Sequence, residues 1–151
     1  MPAHQLHRRT WLASPVDEAF EFFCDPMNLQ RITPPELDLV VDEPPQGPLC
    51  LGAEMGYRLR LWGVPFRWRT RIVDWKRGKE FVDTALTSPY RRWEHRHILY
   101  PEEKGTTMLD LVDYELPLRP VGELAHFLVR LQLDRIFDHR ESAIQRIFGC
   151  P

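Results

Sequence analysis

The chain has 151 residues, of which 43% are hydrophobic and 28% charged, and its formal net charge is -2. This length suits a single domain, residues 1–151, with a full hydrophobic core. Because 20 basic residues are balanced by 22 acidic ones, the overall charge predicts neither a nucleic acid nor an anionic membrane as partner. No apolar stretch approaches the roughly 20 residues that span a bilayer.

The cysteine pattern and the N-terminal sequence bear on the compartment. Cys24, Cys50 and Cys150 are far apart and form no Cys-x-x-Cys pair, so we expect free thiols in a reducing environment. Residues 1–9 are polar and basic with no apolar segment behind them. No secretory signal is therefore expected, and the cytoplasm is the default location.

The first two thirds of the chain predict a strand, two helices and a series of strands. Residues 4–12 predict the first strand, and a helix follows with Ser14 as N-cap and Pro15 as first helical residue. A second short helix is expected to end before the Thr-Pro-Pro run that starts at Thr33. Further strands are predicted over residues 36–41, 54–61, 64–75, 80–87, 93–100 and 107–114. Their short connections predict an antiparallel meander.

The last part of the chain is helical by its periodicity and predicts one long helix over residues 121–148. Its apolar positions are Leu124, Phe127, Leu128, Leu131, Leu133, Ile136, Phe137, Ile144, Ile147 and Phe148. The apolar stripe shifts near Leu131, which indicates a bend or two buried faces. Since the apolar sheet face and the helix stripe must cover each other, we predict an α+β fold with a curved seven-stranded antiparallel sheet around this helix.

The last two predicted strands carry a histidine and a carboxylate on one face. A four-residue loop, residues 101–104, would place His95 directly opposite Asp110. A register shifted by one residue would instead set Arg96 against Asp110 and mix the two faces. We prefer the first register. It produces an aromatic and apolar face that also carries an imidazole and a carboxylate, which suits holding a ligand better than dry packing.

Several motifs accompany this order of elements. The first helix begins with a Ser-Pro pair and three phenylalanines, Ser14, Pro15, Phe20, Phe22 and Phe23. Further motifs are Ile-Thr-Pro-Pro, Trp-x-His-x-His and Asp-x-Val-x-Tyr, at residues 32–35, 93–97 and 110–114. Over residues 6–148 the chain resembles the SRPBCC superfamily, which includes START-like lipid-transfer domains, polyketide cyclases and coenzyme Q-binding proteins. The resemblance implies a helix-grip fold with a cavity between the sheet and the long helix. It implies no catalytic residues, because the superfamily has no universal ones.

The inner face of the sheet is expected to line that cavity. The predicted ligand-binding residues are Tyr57, Leu59, Phe66, Trp68, Trp93, His95, His97, Asp110 and Tyr114. Leu61, Thr70, Ile72, Met108 and Val112 complete the predicted inner face. The alternative is a solid core, since an aromatic stripe at strand spacing is commonly core. A ligand cavity would require a void of roughly 300 Å³ or more that touches Trp68, Trp93 and His95.

His95 and Asp110 allow three interpretations. A carboxylate beside an imidazole orients the ring and raises its basicity, as general acid–base catalysis requires. The plainer interpretation is a buried polar pair in which each group satisfies the other. Together with His97, the two residues could also ligate a metal. No further His or Cys is nearby, so neither a metal nor another cofactor is predicted.

Two features of the outer face are candidate interaction surfaces. Five arginines would form a basic band, namely Arg58, Arg60, Arg67, Arg69 and Arg71. Acidic residues also lie on outer faces, so a solvated charge ladder is favoured over an RNA or phosphate site. Leu109 and Leu111 point outward from a polar face and indicate a weak homodimer contact.

Three functions are compatible with this pattern. The preferred one is binding or transport of a hydrophobic small molecule in the cavity, such as a lipid, an isoprenoid quinone, a polyketide or an aromatic metabolite. The second is a polyketide cyclase or dehydratase that uses His95 and Asp110 as its acid–base pair. The third is a structural or interaction domain with a filled interior. Binding is preferred because the sequence offers a cavity-like lining but no second catalytic group at a diagnostic spacing.

Overall fold

In the computed structural model, residues 4–149 are described, and they form seven strands and three α-helices. Strands β1–β7 are His4–Leu12, Val40–Glu43, Glu54–Leu61, Val64–Lys76, Glu80–Thr87, Arg92–Glu102 and Gly105–Glu115. Helices α1–α3 are Val16–Cys24, Asn28–Arg31 and His126–Phe148, and 3-10 turns occupy Pro35–Leu37 and Val121–Ala125. Among these helices none is both long and apolar enough to cross a membrane. Cys24 and Cys50 are free thiols, whereas Cys150 lies outside the described residues.

The strands form one antiparallel sheet in the order β1-β7-β6-β5-β4-β3-β2. Strands β2 to β7 form a meander. Strand β1 pairs with β7, so the first strand of the chain is an edge strand next to the last one. Helix α3 packs on the inner face, where Leu133 and Phe137 share a core cluster with Trp68 and Trp93. The predicted fold, a seven-stranded antiparallel sheet with a long C-terminal helix, is confirmed.

Helix α3 contributes to two separate core clusters. Leu133 and Phe137 belong to the first, and Ala143 and Ile144 belong to a second cluster that includes residues of α1. Arg140 lies between these pairs on the same helix, and it is only 8% exposed. A buried cation therefore separates the two apolar halves of the helix interface.

The predicted helical segment over residues 121–148 is present, and the structure refines its N-terminal end in two respects. Val121–Ala125 forms a 3-10 turn, and the α-helix begins at His126. Four residues of the predicted apolar stripe are 46–79% exposed: Leu124, Phe127, Leu128 and Leu131. At about 100° per residue, Leu131 and Leu133 point in nearly opposite directions. Only the side of the helix that carries Leu133 faces the sheet.

Two element boundaries near the N-terminus also differ from the prediction. The strand predicted over residues 36–41 begins as the 3-10 turn Pro35–Leu37 and becomes β2 only at Val40. Asp38 ends that turn in the left-handed conformation, with φ of 45°, which interrupts an extended strand. Ser14 is not the N-cap of α1, because Pro15 has a non-helical ψ of 149° and takes that position.

The predicted register of β6 and β7 is wrong by two residues. His97, rather than His95, lies directly opposite Asp110, and His95 lies opposite Val112. Both strands continue further than predicted, so Glu102 pairs with Gly105 and the turn has two residues instead of four. Because the displacement is even, every side chain stays on the face that was predicted for it.

The outer face of the sheet carries a ladder of ion pairs. The five arginines of the predicted basic band lie 2.6–3.7 Å from carboxylates, which belong to Asp38, Asp42, Glu43 and Glu54. This arrangement is the predicted solvated charge ladder. Leu109 and Leu111 are half-buried and alternate with the buried Met108 and Asp110 along β7. A homodimer through these leucines stays a prediction.

Gly105 provides a test of how β7 packs on β1. A Cβ at this position would overlap the backbone carbonyl oxygen of Leu12 and would lie 2.7 Å from Cζ2 of Trp11. Since a backbone atom cannot rotate aside, we expect Gly105→Ala to lower the free energy of unfolding by about 2 kcal/mol. Urea denaturation measures this change. Gly47→Ala is the control, because a Cβ there meets nothing within 4 Å. Equal stability of the two variants would contradict the described packing.

Candidate functional site

A cavity of about 180 Å³ lies between the inner face of the sheet and α3. Most of its wall is apolar or aromatic and comes from β3 to β6, the short helices and α3. Trp68, Trp93 and Phe137 are among the large side chains of this wall. A cluster of polar side chains interrupts it, made of Thr70, Asp83, His95, His97 and Arg140.

The structure brings six of the nine predicted ligand-binding residues to the cavity wall. They are Tyr57, Leu59, Trp68, Trp93, His95 and His97. The wall does not include Phe66, Asp110 or Tyr114. Phe66 packs at the side of the core, and the hydroxyl of Tyr114 lies 2.9 Å from Nε2 of His126. Asp110 is buried behind His95. Ligand binding by the six wall residues stays a prediction.

Sequence reasoning missed Asp83 and Arg140 as members of the site. Arg140 is spaced three residues after Phe137 and four before Ile144, so it is a charged residue within the buried helical stripe. Asp83 lies two residues after Phe81, on the inner face of β5. In both cases the signal was a charge at a position whose periodic neighbours are apolar.

Asp110 connects one residue of β6 with one residue of α3. Nε2 of His95 is 2.7 Å from Oδ1 of Asp110, and Nη2 of Arg140 is 3.3 Å from the same oxygen. The contact between His95 and Asp110 is therefore diagonal across the two strands. It links the sheet to the helix through a single carboxylate oxygen.

A second carboxylate–imidazole pair lies beside the first. Nε2 of His97 is 2.7 Å from Oδ2 of Asp83, and Oγ1 of Thr70 is 3.1 Å from Oδ1 of the same residue. The rings of His95 and His97 stack with 3.7 Å between their centroids. Phe81 stacks on His97 at a centroid distance of 4.2 Å. The imidazole of His97 is thus held between two rings, with its edge fixed by Asp83.

The charges of this cluster follow from burial and pairing. Burial acts to raise the pKa of Asp110, but the charge of Arg140 and the hydrogen bond from His95 outweigh it and hold that pKa well below its ordinary value. Burial opposes ionisation of Asp83 too, and the hydrogen bond and charge of His97 keep the pKa of Asp83 below its usual range. Both carboxyl groups are therefore ionised at neutral pH.

His97 is neutral at the same pH. Burial, followed by the charge of His95, lowers the pKa of His97 to about 4, although the hydrogen bond to Asp83 acts in the opposite direction. An ionised carboxylate can only accept hydrogen bonds, so Nε2 of His97 carries the hydrogen and donates a hydrogen bond to Asp83. The other ring nitrogen, Nδ1, has no hydrogen-bond partner and lies 3.7 Å from Oδ1 of Asp110.

Asp83, His95 and His97 place potential metal-ligating atoms within 4.8 Å of one another. This set contains Asp83 in place of the Asp110 that the sequence suggested. The two imidazole planes are stacked 3.7 Å apart and only 24° from parallel, so their lone pairs lie in separate, nearly parallel layers, whereas a tetrahedral ion needs them to converge. The arrangement fits two hydrogen-bonded pairs better than a metal centre.

Asp110 is expected to be essential for stability. Asp110→Asn removes the charge that pairs with Arg140 in a place where Asp110 is 1% exposed. Because the guanidinium is left buried without a counter-charge, we expect the free energy of unfolding to fall by about 3 kcal/mol in urea denaturation. Asp138→Asn is the control, since it removes a surface partner of Arg8 and should cost about 1 kcal/mol or less. Losses of equal size would argue against a structural role for Asp110.

Stability is also expected to depend on pH through His97. The pKa of His97 is about 4 in the folded protein and ordinarily 6.5, so only the unfolded chain takes up this proton as the pH falls between these values. The stabilisation is complete above about pH 6.5 and is lost as the pH falls through about 4, a decrease of about 3 kcal/mol. Denaturation at a series of pH values measures it.

The matched variants separate this effect from other titrations. His97→Gln should flatten the pH dependence of stability in that interval, whereas His7→Gln, at an exposed position, should leave it unchanged. A wild-type slope that persists in His97→Gln would assign the titration to another group.

Several solved structures are similar to this architecture. No protein-family model and no curated protein matches the sequence. Among solved structures, the protein TTHA0849 from Thermus thermophilus is similar, with a TM-score of 0.77, 16% identity and 95% of each chain covered. The Zhui aromatase/cyclase from Streptomyces sp. R1128 has a TM-score of 0.72 at 15% identity, also over 95% of each chain.

A START superfamily protein from Mycobacterium smegmatis is similar at 12% identity, with a TM-score of 0.71 over 96% of this chain and 99% of that chain. Identities this low establish a common architecture and nothing about a ligand or a reaction. The chain therefore has the same helix-grip fold as these solved structures, with a START superfamily protein among its structural neighbours.

Proposed function

We propose that this protein binds a small hydrophobic molecule in the cavity between the sheet and α3. The observation that carries the proposal is an interior space of about 180 Å³ with a mainly apolar and aromatic wall. Dry protein cavities of about 150 Å³ are large enough to hold benzene. A domain with a solid interior would not keep such a space next to a polar cluster.

The volume of the cavity limits the size of the ligand that it can hold. The void touches Trp68, Trp93 and His95 as predicted, but at 180 Å³ it is smaller than the roughly 300 Å³ predicted as the minimum for a ligand cavity, so the predicted size is wrong and the proposal holds only for a small ligand. The bulky aromatic side chains of the wall occupy the remaining room. A small aromatic metabolite fits this space, whereas a lipid, an isoprenoid quinone or a polyketide would require the sheet and α3 to move apart.

The geometry gives less support to an acid–base enzyme. A catalytic pair of His95 and Asp110 needs both groups at the cavity surface, where a substrate can exchange protons with them. His95 lines the cavity, but Asp110 is buried behind it and holds Arg140 as well. This arrangement supports a role of Asp110 in orienting His95 and pairing Arg140. Binding, rather than cyclisation or dehydration, is therefore the function that we propose.

A variant that fills the cavity tests the proposal. Ethylbenzene is the apolar probe, and its binding is followed by isothermal titration calorimetry. We expect saturable binding with one site per chain, and at least tenfold weaker binding by Ile136→Trp, because the added ring would occupy the space that Ile136 borders. Leu131→Trp, on the exposed side of the same helix, is the control and should bind like the wild type.

The same two variants also show which results would contradict the proposed binding function. If neither the wild type nor Leu131→Trp binds ethylbenzene, the cavity does not receive a purely apolar aromatic molecule. If Ile136→Trp binds as well as the wild type while remaining folded, the probe occupies another place on the protein.

A further inference from the structure

Three polar atoms in the side chains of the cavity wall have no hydrogen-bond partner among residues 4–149. They are Nε1 of Trp68, Nε of Arg140 and Nδ1 of His97. These residues are only 5, 8 and 7% exposed, respectively. Folded proteins pair the large majority of their buried polar atoms. Three unpaired atoms around one cavity therefore indicate a partner that enters the cavity.

The chemistry of these atoms defines what the partner must offer. Nε1 of Trp68 and Nε of Arg140 can only donate hydrogen bonds. Nδ1 of His97 is the acceptor nitrogen of its ring, since Nε2 donates to Asp83, but it lies 3.7 Å from Oδ1 of Asp110, which is not part of the cavity wall. Two donors are thus available to a ligand. A ligand that satisfies the donors must carry a hydrogen-bond acceptor, so a pure hydrocarbon leaves them unpaired.

The indole of Trp68 is held in place by other aromatic rings. It stacks on Tyr57 with an interplanar angle of 11°, and it meets Trp93 edge-on at a centroid distance of 5.2 Å. Tyr90 contacts it from a further direction at 6.0 Å. Because these neighbours restrict the ring, its N–H cannot turn to reach a partner on the protein. It is a pre-oriented donor.

The charges around the cavity disfavour an anionic ligand. Asp83 and Asp110 are both ionised, and His97 is neutral. Arg140 is the one guanidinium of the cluster, and it is paired with Asp110 at 3.3 Å, which His95 also contacts. A carboxylate ligand would add a third negative charge beside Arg140, whose own charge is already paired with Asp110. A cationic ligand would approach Arg140 and would leave both donors without an acceptor.

We infer that the cavity selects a small, neutral aromatic molecule that carries a carbonyl oxygen, with the indole N–H of Trp68 as the donor to that oxygen. This inference rests on the proposed function, because it names the chemistry of the ligand in the same cavity. Arg140 supplies a second donor through Nε.

Four probes of similar shape test the inference by calorimetry at pH 7.5: ethylbenzene, acetophenone, benzoate and 1-phenylethylamine. Acetophenone should bind at least about fivefold more tightly than ethylbenzene, the ratio expected for one added hydrogen bond. Benzoate and the amine should each bind at least about fivefold more weakly than acetophenone, since each introduces a charge that the cluster does not match.

Two tryptophan variants locate the donor. Trp68→Phe keeps an aromatic ring but removes the N–H, so acetophenone should lose its preference over ethylbenzene. Trp62→Phe is the matched control at an exposed turn and should keep the full preference. If Trp68→Phe does not fold, ¹H–¹⁵N spectra of the wild type decide, because the Trp68 indole signal should move downfield with acetophenone and not with ethylbenzene.

The outcomes distinguish this inference from the proposed function. Equal affinities for ethylbenzene and acetophenone, or a Trp68 signal that does not move downfield, would overturn the inference and leave the proposed binding function intact. Tighter binding of benzoate or of the amine than of acetophenone would overturn it too. Failure of all four probes to bind would contradict the proposed function itself.

Discussion

The carboxylate of Asp110 is the interaction on which the rest of this structure depends. One of its oxygens accepts hydrogen bonds from His95 on β6 and Arg140 on α3. A single buried charge therefore connects two strands with the long helix. A guanidinium buried between two apolar helix segments would be very unfavourable without a counter-charge. With Asp110 in place, Arg140 can lie inside the helix interface, and α3 is held over the sheet at a defined position.

The cavity follows from this arrangement. A charged side chain on the inner side of α3 prevents the helix from packing on the sheet as a continuous apolar surface, and polar groups of β4, β5 and β6 collect opposite it. Thr70, Asp83 and His97 form their own hydrogen-bonded group there. The aromatic side chains around them are large and mutually packed, so they leave a small space of defined shape instead of closing it.

The two halves of the wall have different tasks in this interpretation. For the proposed ligand, the apolar and aromatic part would provide most of the binding energy through burial of the ligand surface, which is not directional. The few polar atoms add little energy individually, but they determine which orientation and which functional group is accepted. The restriction of the Trp68 ring by Tyr57, Tyr90 and Trp93 matters for this reason, since a fixed donor discriminates better than a mobile one.

The sequence by itself determined the secondary structure and the faces of the strands, because hydrophobic periodicity is a local property. Strand β1 and the hairpin of β3 and β4 were predicted within one residue, and His95 and Asp110 were placed on the correct face. The tertiary structure decided the register of β6 and β7, since a two-residue displacement leaves the alternation unchanged.

The tertiary structure also decided the membership of the site and the size of the cavity. Arg140 and Asp83 are distant in sequence, and only the packing of α3 on the sheet brings them to one wall. The cavity volume is the small difference between the space that the backbone encloses and the volume of the side chains that fill it. That difference depends on how closely the helix approaches the sheet, and no local pattern in the sequence encodes this distance.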